Sequence, residues 1–286
     1  MTKKKSLRIL PARILLTLLA LIILLPMVQT FLYSFSSTSE MVSLMKTRNN
    51  LDTSKWMDPH LTPDMISLGQ YEKILIKDES ILHFFGNSVM YAAAILLGQT
   101  LVIPMLAFGL SKFRFKGREA LFFLIVMLML LPFQVTMVPN VLTLRFMGLM
   151  NTAWAVILPM IFAPFFIFLL RQYMISLPDE LLEAASIDGA GPFRSFLRIV
   201  MPVCRPVLGA AAALSFADSW NMVEQPLAYL SMRGDLNPLS TMFNQLTKDI
   251  RGYEFAGAAL YILPALLIYL FFQEDILAGI QLTEMK

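Results

Sequence analysis

The chain has 286 residues, of which 57% are hydrophobic and only 15% charged, and its mean hydropathy is +0.66. A soluble globular domain has about 45–50% apolar and about 25% charged residues, so this composition excludes an ordinary soluble protein. The net charge of +3 gives no support for nucleic-acid binding. The single cysteine, Cys204, excludes an internal disulfide and a multi-cysteine metal site.

Apolar runs predict membrane-spanning helices, because a helix needs about 20 mostly apolar residues to cross the bilayer. In chain order, the six predicted spans are Ile14–Phe35, Ser88–Leu110, Ala120–Leu144, Ala153–Leu170, Val207–Val223 and Phe255–Phe272. The predicted fold class is therefore all-α, a polytopic membrane helical bundle with six transmembrane helices. The first run follows a basic start, as a signal peptide does, but it is too long for a signal core, and we interpret it as a retained anchor.

The distribution of Lys and Arg in the short loops predicts the orientation, since cytoplasmic loops carry an excess of both. Basic residues precede the first span and fill the segment Lys112–Arg118 between the second and third. Four more follow the fourth span: Arg171, Arg194, Arg198 and Arg205. With six spans these segments share one side, which we expect to be the cytoplasm, with both termini. The polar segment Ser36–Ser80, expected to contain one short helix, and the loop Gln225–Glu254 then lie outside.

The sequence lacks the residues that would drive transport or catalysis. No glycine is directly followed by lysine, so there is no Walker A phosphate loop. The two histidines, His60 and His83, lie outside the span cores, and neither an HExxH site nor a G-x-S-x-G elbow is present. The clear ionisable residues of the spans, Asp218 and Glu224, are near a membrane boundary, whereas a proton-coupled carrier usually has them nearer the midplane. We therefore predict no catalytic residue, no metal site and no bound cofactor.

The segment 177–202, between the fourth and fifth spans, predicts two helices separated by a glycine turn. Pro178 suits a first helical turn, and the acidic residues after it complement the positive end of a helix. Gly189 follows where this helix should end, since glycine readily takes the left-handed conformation. Pro192 begins a second helix with an apolar stripe of Phe193, Phe196, Leu197 and Val200. A short rigid helix projecting from a membrane bundle is suited to docking in a groove of another protein.

These residues resemble a known family. The set resembling the EAA loop of ABC importer permeases, with the pattern E-A-A-x₃-G-x₉-I-x-L-P, is Glu183, Ala184, Ala185, Gly189, Ile199 and Pro202. Met201 stands where leucine is usual, a volume-conserving change. From Asn87 to Gln273 the chain is similar to maltose-type carbohydrate permeases, specifically to the six-span member of a heterodimeric pair. The similar segments include Asn151–Trp154, Phe168–Gln172, Ile187–Ala190, Ser219–Asn221 and Phe272-Gln273.

The resemblance implies the type I ABC importer permease fold in a bacterial cytoplasmic membrane. It implies a second homologous permease, a dimeric ATPase that holds ATP and Mg, an extracytoplasmic solute-binding protein, and a sugar or oligosaccharide as solute. The loop would form the coupling helix that sits in a cleft of the ATPase. The implied organisation is residues 1–80 as tail, first span and outer loop, residues 81–273 as core permease, and residues 274–286 as cytoplasmic tail. That tail differs from the family's glycine-rich, basic end.

Several alternatives remain at this stage. A secondary carrier would need midplane carboxylates and no docking loop, a membrane enzyme would need a polar catalytic cluster, and a polyol or glycerol phosphoester is an alternative solute. Asp218, Asn221 and Gln225 are spaced i, i+3 and i+7, so we predict that they share one helix face and line the solute path. Alternatively, they mark the water boundary, with Trp220 in the aromatic belt.

The orientation can be tested by labelling with a membrane-impermeant thiol reagent. Cysteines introduced at Asn50 and Asp235 are expected to react from outside intact cells, because both positions lie in predicted outer loops. A cysteine at Lys116 is expected to stay unlabelled until the membrane is opened. Labelling of Lys116→Cys from outside would overturn the predicted orientation.

Overall fold

The structure is a computed structural model that describes residues 2–42, 62–77, 79–246 and 252–284, so the labelling position Asn50 lies outside the described residues. Within these ranges the regular structure is helical, apart from one isolated antiparallel bridge between Ser36 and Ile66. The chain divides into two compact units, residues 1–83 with 243–263 and residues 84–242 with 264–286. The predicted all-α fold class is confirmed.

Helices occupy each predicted apolar run, and shorter helices lie between the runs. In chain order they are α1 (Thr2–Tyr33), α2 (Gly69–Glu72), α3 (Glu79–Lys112), α4 (Arg118–Leu130), α5 (Phe133–Phe146), α6 (Ala153–Ile161), α7 (Pro164–Ser176), α8 (Glu180–Ile187), α9 (Pro192–Ser195), α10 (Met201–Val203), α11 (Arg205–Trp220), α12 (Glu224–Tyr229), α13 (Leu239–Leu246) and α14 (Glu254–Glu284). Residues 38–42 are also helical, and there are two π-helical segments, Lys73–Lys77 and Phe196–Val200, and a 3-10 turn, Gly234–Leu236.

The first unit is held together by the buried amide of Gln70 in α2. Its Nε2 donates to the carbonyl oxygens of Tyr33 and Ser36, at 2.7 and 3.0 Å, where α1 ends. Its Oε1 accepts a hydrogen bond from the backbone N–H of Ala256 in α14, at 3.2 Å. The ring of Tyr33 also packs on Phe255, with centroids 5.3 Å apart. One side chain thus joins three segments that are distant in sequence, and α2 is the short helix expected in the outer loop.

Four stretches are long and apolar enough to cross a membrane, and two bent helix pairs raise the number to six if each pair is one span. The four stretches are Arg13–Tyr33, Ser80–Lys112, Ala153–Ser176 and Glu254–Leu277. The axes of α4 and α5 meet at 110°, and the stretch Pro192–Val203 meets α11 at 75°. Every predicted run therefore has a counterpart, and the third and fifth correspond to the bent pairs.

The break in the third span lies at Leu131 and Pro132. Proline disfavours the helical conformation of the residue before it, and Leu131 is indeed extended, with φ −77° and ψ 129°. Pro132 is also extended, with ψ 148°, and α5 begins directly after it. The chain therefore changes direction within a segment that composition alone describes as one span.

In the second unit, a buried glutamine compensates for another proline. Pro164 begins α7 and has no N–H, so the carbonyl of Met160, four residues earlier, loses its helical donor. The Nε2 of Gln99 in α3 donates to that carbonyl at 2.7 Å. The Oε1 of Gln99 accepts a hydrogen bond from the hydroxyl of Ser215 in α11. This amide joins α3, α6 and α11 in the interior of the unit.

Close packing beside this amide generates a stability prediction. A Cβ added at Gly98 in α3 would lie 2.4 Å from Cδ1 and 2.5 Å from Cγ1 of Ile161, closer than van der Waals contact allows. At Gly109, in the same helix, an added Cβ would meet no atom within 4 Å. Gly98→Ala is expected to destabilise the folded protein by about 1–3 kcal/mol through overpacking.

Gly109→Ala is the matched control, since both changes give the same gain in helix propensity. The measurement is the melting temperature of the detergent-solubilised protein by size-exclusion thermostability. Equal melting temperatures for the two variants would show that the contact between α3 and Ile161 is not tightly packed.

Candidate coupling loop and solute path

The first arm of the loop 177–202 is the helix α8. Its first turn carries Glu180 and Glu183, whose negative charges are favourable near a helix N-terminus. Gly189 has φ +79°, and its N–H bonds to the carbonyl of Ser186 at 3.0 Å. The next N–H, of Ala190, bonds to the carbonyl of Ala185 at 2.9 Å. These two bonds form a Schellman motif, so the predicted glycine turn is confirmed.

The second arm begins at Pro192 and contains the π-helical segment Phe196–Val200. Phe196 and Val200 are buried, and the ring of Phe196 lies 5.1 Å from that of Phe108 in α3. Phe193 and Leu197, by contrast, are 63% and 47% exposed. The predicted apolar stripe is therefore divided, with two side chains packed inside the chain and two on its surface. A π-helical turn contains more residues than an α-helical turn, which changes the side chains that share a face.

The residues Glu183, Ala184 and Ala185 of the family pattern lie in two different environments. Ala185 is buried within this chain, whereas Glu183, Ala184 and the following Ile187 are exposed, Ile187 to 87%. The expectation that Ala185 enters a groove of another protein is therefore corrected, because its methyl group already packs inside the chain. Ala184 and Ile187 form the outer face. Of the last two family positions in the loop, Ile199 is half-buried and Pro202 is exposed.

Lys112 at the end of α3 fixes the start of the loop. Its Nζ donates to the carbonyl of Leu177, which follows the end of α7, and to Oδ1 of Asp179, both at 2.6 Å. The Lys112 side chain is buried, while that of Asp179 is mostly exposed. The hydrogen bond and the positive charge of Lys112 lower the pKa of the Asp179 carboxyl below its usual value. The pairing is therefore retained at neutral pH and lost as the pH falls through that lowered pKa.

A second buried cation, Arg171 in α7, joins three helices beside this point. Its Nε donates to the carbonyl of Leu110 in α3 at 3.0 Å, and its Nη2 to both carboxylate oxygens of Glu119 in α4, at 3.0 and 3.1 Å. The guanidinium carbon lies 3.6 Å from the ring centroid of Phe122. The sequence analysis used Arg171 and Lys112 only to predict the orientation of the loops and missed their contacts with helix carbonyls. Both residues lie near the ends of apolar helices, and this position could have indicated that they cap the carbonyls there.

The three residues predicted to line the solute path do not share one helix. α11 ends at Trp220, Asn221 follows its last turn, and Gln225 lies in α12 after a break. The predicted single helix face was therefore wrong. Asp218 and Asn221 are nonetheless exposed and Gln225 is half-buried.

Trp220 does not lie in an aromatic belt at the membrane surface. It is buried, with its ring stacked on Phe216 at 5.3 Å and edge-on to Phe85 at 5.6 Å. The indole therefore stabilises the end of α11 from inside the second unit. The position of Trp220 therefore gives no support to the alternative that Asp218, Asn221 and Gln225 mark the water boundary.

An all-helical membrane protein with broken spans and a rigid helix–turn–helix between two of them is the architecture of a transporter's membrane subunit. Residues 101–274 match the family described as binding-protein-dependent transport system inner membrane component. This match covers more than half of the chain. The chain belongs to that family and is a multi-pass membrane permease subunit.

Named relatives agree with this assignment. The chain is 30% identical over 270 residues to the arabinooligosaccharides transport system permease protein AraQ of Halalkalibacterium halodurans, covering 94% of this chain and 93% of the relative. It is 30% identical over 272 residues to the diacetylchitobiose uptake system permease protein NgcG of Streptomyces coelicolor, covering 93% and 85%. The fold matches a chain from the crystal structure of a bacterial ABC transporter involved in the import of the acidic polysaccharide alginate. That match has a TM-score of 0.77 at 22% identity and covers 96% and 98% of the two chains.

The Lys112 contacts predict that one substitution loosens the loop without altering the spans. Lys112→Met keeps a long apolar stem but leaves the Leu177 carbonyl without its donor, which costs about 1–3 kcal/mol for a buried group. We expect faster amide hydrogen exchange throughout residues 177–190, measured by mass spectrometry. Lys116→Met, in the exposed neighbouring turn, is the control and is expected to exchange as the wild type does. Unchanged exchange in Lys112→Met would show that the loop holds its position without this cation.

Proposed function

We propose that this chain forms half of the translocation pathway for a carbohydrate and couples that pathway to a cytoplasmic ATPase through the loop 177–202. The solute class is supported by the relatives, whose names specify arabinooligosaccharides and diacetylchitobiose. The other half of the pathway would be a second, homologous permease. An extracytoplasmic binding protein would deliver the sugar or oligosaccharide.

The energy for transport has to come from a partner. The sequence has no Walker A phosphate loop, so ATP and Mg would be held by the ATPase dimer and this chain would bind neither. We place both termini and the loop 177–202 in the cytoplasm, where the ATPase lies. The concentration of Lys and Arg in these segments supports that orientation.

The observation that carries the coupling proposal is the apolar outer surface of the loop. Leu181, Ile187, Phe193 and Leu197 expose between 44% and 87% of their surface on either side of the glycine turn. Apolar side chains grouped on a projecting, basic-flanked loop are typical of a protein–protein contact. We propose that Ala184 and Ile187 enter the ATPase cleft, with Glu183 beside them and Gly189 fixing the angle of α8. Ala185 and the half-buried Ile199 would support that surface from within the loop, and the exposed Pro202 would lie at its end.

The loop transmits movement because both of its arms are attached to the bundle. Lys112 holds the first arm to α3, and Phe196 packs the second arm against Phe108 of the same helix. When ATP closes the ATPase dimer, the docked loop would move as one body and displace α3 with it. The pathway would then open outward to receive solute, and hydrolysis would reverse the change.

Gly189 provides the direct test. A residue with a Cβ pays about 1–2 kcal/mol to adopt the left-handed conformation, so Gly189→Val re-aims α8 or unfolds its end. Gly191→Val is the matched control, because Gly191 has φ −70° and no atom within 4 Å of an added Cβ. In the reconstituted transporter, Gly189→Val is expected to abolish solute-stimulated ATP hydrolysis and uptake and to weaken ATPase retention.

A second variant separates the shape of the loop from its surface. Ile187→Asp leaves the turn intact but places a charge on the most exposed apolar side chain of the loop, and it is expected to release the ATPase likewise. Ala185→Leu should act differently, by overpacking the loop itself. Normal ATPase retention and uptake in both Gly189→Val and Ile187→Asp would mean that this loop does not couple the transporter.

A further inference from the structure

The two places where helical spans are interrupted are joined by a pair of hydrogen bonds. Gln134 lies at the start of α5, directly after the 110° bend, and Glu224 is the first residue of α12, directly after the break that ends α11. The Nε2 of Gln134 donates to both carboxylate oxygens of Glu224, at 2.9 and 3.1 Å. In membrane transporters, interrupted helices lie at solute sites, because the interruption leaves polar groups available to a ligand.

This pair is held in position by packing behind it. The ring of Phe133, next to Gln134, lies 6.3 Å from the ring of Tyr229 at the end of α12, in an edge-on arrangement. Tyr229 is fully buried, and the backbone N–H of Asn151 bonds to its carbonyl at 3.0 Å. The hydrogen-bonded pair is therefore supported by two fixed elements, as a binding site requires, since ordering the site during binding would cost affinity.

The two side chains face away from the protein interior. Gln134 and Glu224 are both exposed, as are Asp218 and Asn221 on the last turn of α11 and just after it. A carboxylate directed at lipid is costly, so we expect the exposed carboxylate of Glu224 to face water. The exposed neighbours of Gln134 in α5 are apolar, for example Val135 and Val138. The bond between Gln134 and Glu224 thus brings polar groups of both spans together where the two spans are broken.

We propose that Gln134 and Glu224 form a contact site for an uncharged, hydroxyl-rich solute in the transport pathway. The carboxylate accepts hydrogen bonds from two hydroxyl groups, and the amide both donates and accepts, which matches the groups along one edge of a sugar ring. Solute hydroxyls replace the Gln134 amide as donors to Glu224. The carboxylate of Glu224 repels a phosphate or uronate group. This inference rests on the proposed function and narrows its solute to neutral sugars, against glycerol phosphoesters and acidic saccharides.

The first test asks whether the pair lines water, and it does not depend on the identity of the solute. In a Cys204→Ser background, Gln134→Cys and Glu224→Cys are treated with a charged methanethiosulfonate reagent in membranes that contain the assembled transporter. Both are expected to react at rates comparable with Asp235→Cys in the outer loop, whereas the wild-type chain, with its buried Cys204, stays unreactive. Failure of both cysteines to react would place the pair in lipid or in a subunit interface and overturn the inference.

The second test measures selectivity in cells that contain the complete transporter. The probes are radiolabelled arabinotriose and diacetylchitobiose, which lack charged groups, and sn-glycerol 3-phosphate and an alginate oligomer, which are anionic. We expect uptake of an uncharged probe, with KM raised about tenfold to hundredfold in Gln134→Ala and Glu224→Gln, since hydrogen bonds to a charged group are lost. Asp235→Asn, on the exposed outer turn, is the control and should leave KM unchanged.

The outcomes separate the inference from the function on which it rests. Unchanged KM in both variants, or uptake of an anionic probe alone, overturns the inference and leaves the permease assignment intact. If the wild-type transporter takes up none of the four probes, its solute lies outside this set, and the thiol reactions then decide whether the pair lines an aqueous path.

Discussion

Helix ends inside a membrane protein leave carbonyl groups that water does not reach, and each requires a donor from elsewhere in the chain. In this protein, long polar side chains from distant segments supply those donors. The pairs are Gln70 with Tyr33, Gln99 with Met160, Arg171 with Leu110 and Lys112 with Leu177. A carbonyl left without a partner costs about 1–3 kcal/mol where it is buried. The donors from these four side chains therefore stabilise the helix ends that they contact.

The candidate functional segments start where such helix ends are capped or broken. The loop 177–202 begins at the carbonyl that Lys112 holds, and Arg171 fixes the neighbouring end of α3 through Leu110. Both cations are nearly buried, which is favourable only because each meets a carbonyl and a carboxylate together. The irregular backbone at these two helix ends is thereby held by donors from other parts of the chain.

Much of the fold could be predicted because its determinants are local. Apolar runs of sufficient length gave the positions of all six spans, and the positive φ of the loop turn could be inferred from Gly189 alone. The breaks could not be predicted in the same way. Prolines also lie inside the continuous helices α3, α5, α6 and α14, at Pro104, Pro139, Pro159 and Pro264. Whether a proline is tolerated or ends a helix depends on donors such as Gln99, which come from other parts of the sequence.

The contrast between local determinants and tertiary contacts also explains which features of the candidate sites could be predicted. Ala185 is small enough to face either a partner or the chain's own interior, and only the packing of the two loop arms decides in favour of the interior. The spacing of Asp218, Asn221 and Gln225 fits one helix, but the helix ends before the third of them, and the partner of Glu224 is Gln134, 90 residues earlier. Helical periodicity identifies residues that share a face only while the helix continues. At a break, polar side chains are brought together by tertiary contacts. Here those contacts place the amide of Gln134, after the break in the third span, against the carboxylate of Glu224, after the end of α11.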